Sequence, residues 1–348
     1  MHAKRLLMAA LLALVMAGPA AAQRRTDIQE GSTAPGLDIE NWHEEKSTSV
    51  EAGNVYLVVF ARENEFNTRS ALGLAAILEI LKLHESKKLR VIVVMPQLTD
   101  LRLGGINHEN LFIGGDRRNS SERAWVSAAG QNTKPVVFIV DRKSKIQFIG
   151  SPADDRFREV LPQVLDDRYD SVMMRQAQPF IGPAENARKV RNYRQCFMHL
   201  DKIIEMDKRI FARYRLMKFE IMLIDQADTD AAYDYAREQV AQSADDPAFL
   251  RWMAEFIVND PRLSKENRDL DFALEVADSS AGATAADDPQ KFALPAMVHF
   301  HRGELAEAVE LQEQAWLVAK PERKDTFWRT LIAYKDAARR QGVLSSRR

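Results

Sequence analysis

The chain has 348 residues, 46% of them hydrophobic and 28% charged, a balance that fits a globular protein long enough for two separate cores. A formal net charge of -1 supplies no overall attraction for nucleic acid or for an anionic membrane. A single cysteine, Cys196, excludes an internal disulfide framework.

The chain opens with Lys4 and Arg5, an apolar run over Leu6–Ala17 and the small residues Ala20, Ala21 and Ala22 before Gln23. That order predicts a secretory signal peptide over 1–22, cleaved after Ala22, and hence a secreted or periplasmic protein; a retained anchor is the alternative. The apolar run is too short for a comfortable membrane span. Residues 23–30 are polar and expected to be disordered. Gly31–Trp42, GSTAPGLDIENW, reads as a Pro/Gly loop leading into a short first strand.

Val55–Leu83 reads as a buried strand (Val55–Phe60), a polar turn and a helix beginning near Ser70. Leu72, Leu74, Ala75, Ile77, Leu78 and Leu81 recur at helical spacing. Leu89–Met95, LRVIVVM, has no helical period and suits a strand covered on both faces, closing a βαβ unit. Gln97–Ser121 reads as a solvated loop; its tract GGDRRNSSER could hold a phosphate through backbone N–H groups and arginines, but it lacks the spacing of a P-loop or dinucleotide fingerprint. Gly130–Gly150 predicts a loop, a strand over Val136–Val140, a turn over Asp141–Ser144 and a partner strand over Lys145–Ile149. Asp154–Leu165 is an amphipathic closing helix.

Gly31, Ala34 and Pro35, followed by Gly130, Pro135, Phe138, Asp141 and Ile146, hold the motif positions of redoxin-type thioredoxin domains, which this half of the chain resembles. The resemblance implies an α/β thioredoxin-like domain over 31–168, a central mixed sheet flanked by helices. It also implies a cis proline at Pro135, beside which Lys134 and Pro135 form a candidate peptide-binding edge for strand addition. Such domains carry a Cys-x-x-Cys pair at the turn after the first core strand; here the matching residues are Glu65-Phe66-Asn67-Thr68. Thiol-disulfide exchange needs a thiolate, and neither Glu65 nor Thr68 supplies one. Helix capping and solvation are the expected roles of Glu65 and Thr68.

From about Gln178 the β-rich runs end; QPFIGP at 178–183 reads as a linker. Phe292–Ala319 pairs two apolar helices, with Ala296 in the first, Gly303 at the turn, Ala308 and Ala315 in the second and Pro321 beyond. This unit resembles a tetratricopeptide (TPR) repeat. Cys196, Ala232 and Ala273 mark weaker copies, at spacings of roughly 36, 41 and 35 residues, near the 34-residue period of that family. An all-α TPR-like domain over 184–340 follows, with Lys324–Arg340 as a capping helix bearing Trp328 and Tyr334. Cys196 is expected to be a buried, inert thiol. His299 and His301 lie two apart, which on a helix separates their faces, so no metal site is assigned.

The expectation is an exported adaptor that carries a redox-inactive thioredoxin-like domain and binds a peptide or protein in its helical-repeat groove, with no cofactor and no nucleic-acid partner. The alternative is a thiol-disulfide oxidoreductase or peroxidase of the thioredoxin superfamily.

Overall fold

The computed structural model describes residues 28–62, 73–84, 88–98 and 108–343. The leader, Gly104-Gly105, the four residues Glu65–Thr68 and the predicted helix start near Ser70 lie outside the described residues. The chain divides into two compact units, to Val172 and from Met173.

The first unit is built on six strands: β1 (Ile39–Trp42), β2 (Val55–Phe60), β3 (Leu89–Met95), β4 (Leu111–Asp116), β5 (Val136–Val140) and β6 (Ile146–Gly150). Their order across the sheet is β1-β4-β3-β2-β5-β6. β4, β3 and β2 are mutually parallel, whereas β5 and β6 run antiparallel beside β2, and β1 runs antiparallel to β4. Every residue of β2 is buried because both faces of the sheet are covered. Val55, Leu57 and Val59 meet helix α1 (Leu74–Leu83) through Ile77 and Leu81, together with helix α2 (Asp155–Leu165) through Phe157 and Leu161. The alternate residues Tyr56, Val58 and Phe60 pack with Trp125 and Phe138 on the other face. The side-chain period of two along a strand thus feeds two cores from one apolar run.

Two sequence expectations change here. Residues 28–30 are docked rather than disordered, with Ile28 buried and Glu30 paired to Arg156 at 3.1 Å. The supposed loop at 111–116 is a buried strand, β4. Gly114 and Gly115 fit there because both are closely approached: a Cβ on Gly114 would collide with Ile39 Cγ2 of the paired strand β1, and one on Gly115 would stand 3.2 Å from the Leu98 nitrogen, beyond β3. The N–H groups considered for phosphate are also in use. Buried Asp116 accepts from Ser121 N and Glu122 N, both at 2.8 Å, and so caps the helical segment 120–127.

The second unit is helical: α3 (Ser171–Lys189), α4 (Tyr193–Met206), α5 (Ala212–Glu220, continuing as a π-helical turn to Asp225), α6 (Thr229–Ala241), α7 (Pro247–Asn259), α8 (Leu270–Ala283), α9 (Gln290–Arg302), α10 (Leu305–Val318) and α11 (Lys324–Arg340). The reading of 178–183 as a linker is overturned, since those residues lie inside α3. An interior proline costs a helix about 3 kcal/mol. Here that cost is offset because Ala177, Ala184 and Ala187 bury against Cys196, Leu200 and Ile203 of α4, with Phe180 and Ile181 packed beside them.

A regular device recurs in this unit. Helices α4, α6, α8 and α10 follow Asn192, Asp228, Asp269 and Glu304, and four residues after each lies Cys196, Ala232, Ala273 or Ala308, all fully buried. The side chains of Asn192, Asp228 and Asp269 accept a backbone N–H of the first turn. The small residue then lets the neighbouring helix approach closely. Gly303, at φ +82, closes α9 in the left-handed conformation that glycine adopts without a Cβ penalty.

Candidate functional site

In the first unit the sequence points to Lys134 and Pro135. Their peptide bond is cis, and Pro135 directly precedes β5. Val136 pairs with Phe60, and Val137 pairs with Gly150, so both sides of β5 are taken. The free side of β6 is partly covered as well, because Gly31 N donates to Ile146 O and Ile146 N donates to Ser32 O. The main chain of Lys134 makes no hydrogen bond to another described residue. The Lys134 side chain is not on offer: it is 11% exposed and its Nζ lies 2.8 Å from Glu122 Oε2. Asp116 fixes the turn carrying Glu122, and Glu122 in turn anchors Lys134. Glu65 and Thr68 lie outside the described residues.

The second unit holds a groove of about 590 Å³ between α5 and α7. Leu216, Trp252 and Phe256 give it an apolar floor, and Arg213, Glu255, Asn259 and Asp260 supply polar groups. Burial pushes the Glu255 carboxyl above its ordinary range, and Arg251, at 3.9 Å, partly opposes that shift. Asp260 is held below the ordinary range, first by its hydrogen bond from Arg262. Arg262 also reaches Glu220 at 2.7 Å, and Arg188 bridges Glu220 (2.6 Å) and Asp225 (3.0 Å). This chain of ion pairs ties α3, α5 and the end of α7 together at one end of the groove. Asn259 Nδ2 donates to Met297 Sδ, a weak acceptor. Among the lining side chains are an indole, a phenyl ring and an isobutyl group beside two carboxylates, an amide and a guanidinium.

Sequence reasoning did not single out these lining residues. The signal was present: α7 buries Phe249, Leu250, Met253 and Ile257, and Trp252 and Phe256 widen that apolar stripe, packing against the same core while remaining partly exposed.

Cys196 is fully buried, and that burial raises its pKa, with Arg188 opposing, so little of it is thiolate at neutral pH. His299 Nδ1 lies 2.5 Å from Glu304 Oε2, an internal pairing, and burial lowers the pKa of His301. Among the described residues no group of three or more His, Cys, Asp or Glu side chains is arranged to hold a metal ion. No described helix is long and apolar enough to cross a membrane.

The strand order, with three parallel core strands, an antiparallel hairpin beside β2 and helical segments packed on both faces, defines the first unit as a thioredoxin-like domain. A helix-rich unit follows it. No family model matches the chain, and no curated protein matches it. Several solved structures are similar over the first part of the chain. The thioredoxin domain of a thiol-disulfide oxidoreductase from Bacteroides vulgatus is 17% identical, with 39% of this chain and 99% of that one covered, at a TM-score of 0.31. Mycobacterium tuberculosis AhpC is 19% identical over 40% of this chain and 92% of its own, at 0.30. An uncharacterized thioredoxin-like protein from Porphyromonas gingivalis is 20% identical over 38% and 88%, at 0.28.

Proposed function

We propose that the protein is an exported binding protein: a thioredoxin-like domain without a redox pair, followed by TPR-like helical repeats whose groove holds a peptide or protein partner. The observation that carries this reading is the cysteine count. The chain's one thiol, Cys196, lies in the helical unit, fully buried, and positions 65 and 68 are Glu and Thr. A disulfide exchange cycle within the first unit therefore has no nucleophile.

Support for the repeat reading comes from the capped helices α4, α6, α8 and α10, each with a buried small residue at the same place. Their partners α3, α5, α7 and α9 form the alternate layer, and the α5–α7 groove lies within it. Stacked helix pairs of this kind expose one continuous surface to a ligand. The leader-like residues Met1–Ala22 support export, and the Lys134 main chain supports a second contact with an extended chain.

The test pairs two measurements on one preparation. The wild-type chain is expected to capture a defined partner from envelope extract and a Trp252→Ala/Phe256→Ala variant to lose it. Neither should reduce insulin disulfides. Reduction faster than that of a Cys196→Ala variant would sink the proposal.

A further inference from the structure

The corner where α10 meets α11 exposes several apolar side chains. Leu317 is 60% exposed, Trp328 42% and Val318 37%, and Trp316 lies beside Trp328 with ring centroids 5.2 Å apart. Basic side chains flank them: Lys324 lies over the Trp316 ring at 5.0 Å, Arg323 lies over Phe327 at 5.3 Å, and Arg329, next to Trp328, pairs with Asp325 at 2.6 Å. Residues 320–348 hold nine Lys or Arg against three Asp or Glu, in a chain whose totals are 49 and 50. The near-neutral whole therefore conceals a strongly cationic end.

We propose that this corner docks on an anionic lipid surface, with Leu317, Val318 and Trp328 entering the headgroup boundary and the flanking Arg and Lys meeting lipid phosphates. Charge complementarity selects the surface: a cationic rim around apolar groups matches an anionic interface. Indole rings, with an apolar body and one N–H, favour that boundary over either water or hydrocarbon. The apolar groups stand at the end of α10 and in the first turns of α11. Docking would be monotopic, since no described helix is built to span. This inference is independent of what the α5–α7 groove holds.

The chain from Gln23 onward keeps every described residue and removes the apolar leader. It is mixed with vesicles of pure phosphatidylcholine or with vesicles carrying roughly a third phosphatidylglycerol. Expected is sedimentation with the anionic vesicles only, weakening as salt rises. Quenching of tryptophan emission by brominated acyl chains should accompany it. Trp328→Ser/Leu317→Ser should reduce partitioning about tenfold or more, since each buried CH₂ contributes ~0.8 kcal/mol. Arg323→Glu/Lys324→Glu should reduce it and flatten the salt dependence. Leu317→Ser alone, at an exposed position, provides the same test if the double variant fails to fold. Absence of vesicle binding, or equal binding by wild type and variants, would overturn the proposal. So would a concentration-dependent dimer lost in the variants without any vesicle binding, which would make the corner an interface between copies of the chain.

Discussion

Glu255 illustrates how a single residue can carry a cost of the groove. Burial raises its pKa, so the fold favours the protonated carboxyl. A folded pKa above the unfolded one contributes stability that is full below the unfolded pKa and is lost as pH rises through the folded value. Glu255→Gln removes the titration. The variant is expected to melt at a higher temperature than wild type at pH 7, with the difference closing toward pH 4; melting curves at both pH values check this. A variant no more stable at pH 7 would mean that the pairing with Arg251 outweighs burial. Asp116 is a buried carboxylate that accepts two backbone N–H groups. Asp116→Ala should cost about 1–2 kcal/mol in urea unfolding, the usual loss for a helix cap. It should also loosen the turn that carries Glu122 and, through it, Lys134.

At the scale of elements, β2, β3, the β5–β6 hairpin and α2 were legible because long apolar runs and turn residues leave few alternatives. β4 was not, because a strand containing two glycines in tandem has the composition of a loop. Only the structure reveals that a Cβ on Gly114 would collide with the Ile39 side chain of β1. Gly114→Val should therefore destabilise by about 1–3 kcal/mol, the usual penalty for overpacking. Proteolysis near 39–42 should increase as β1 is displaced. Native sensitivity and stability in that variant would show that Ile39 and Trp42 can move aside. The misread linker at 178–183 has the reverse cause: two prolines suggest a break, whereas burial of Ala177, Ala184 and Ala187 against α4 decides for helix. The groove was harder to see because its residues come from α5 and α7, with all of α6 between them in sequence.

For the molecule as a whole, composition concealed more than it revealed. A net charge of -1 is the sum of segregated segments: residues 225–288 carry sixteen Asp or Glu against five Lys or Arg, whereas 320–348 are basic. Reading charge by segment, rather than by total, would have exposed the cationic end. The same end also holds the helical unit closed. Leu331, Tyr334 and Ala338 of α11 bury against Ala296, Leu305 and Ala308, and the Tyr334 ring stacks on Phe300 with centroids 4.3 Å apart. Burial pushes the Tyr334 hydroxyl up to about 12, consistent with a ring shielded from water. In a stack where each helix pair relies on its neighbours for a core, removing the last helix uncovers the pair beneath it. A chain ending at Lys320 should therefore lose more than α11. Its melting should begin at lower temperature and broaden, and hydrogen exchange should accelerate in α9 and α10 while α6–α8 stay protected. Unchanged exchange in α9 and α10 would mean that those helices are held by α7 and α8 alone, and that α11 serves the molecule chiefly through its exposed face.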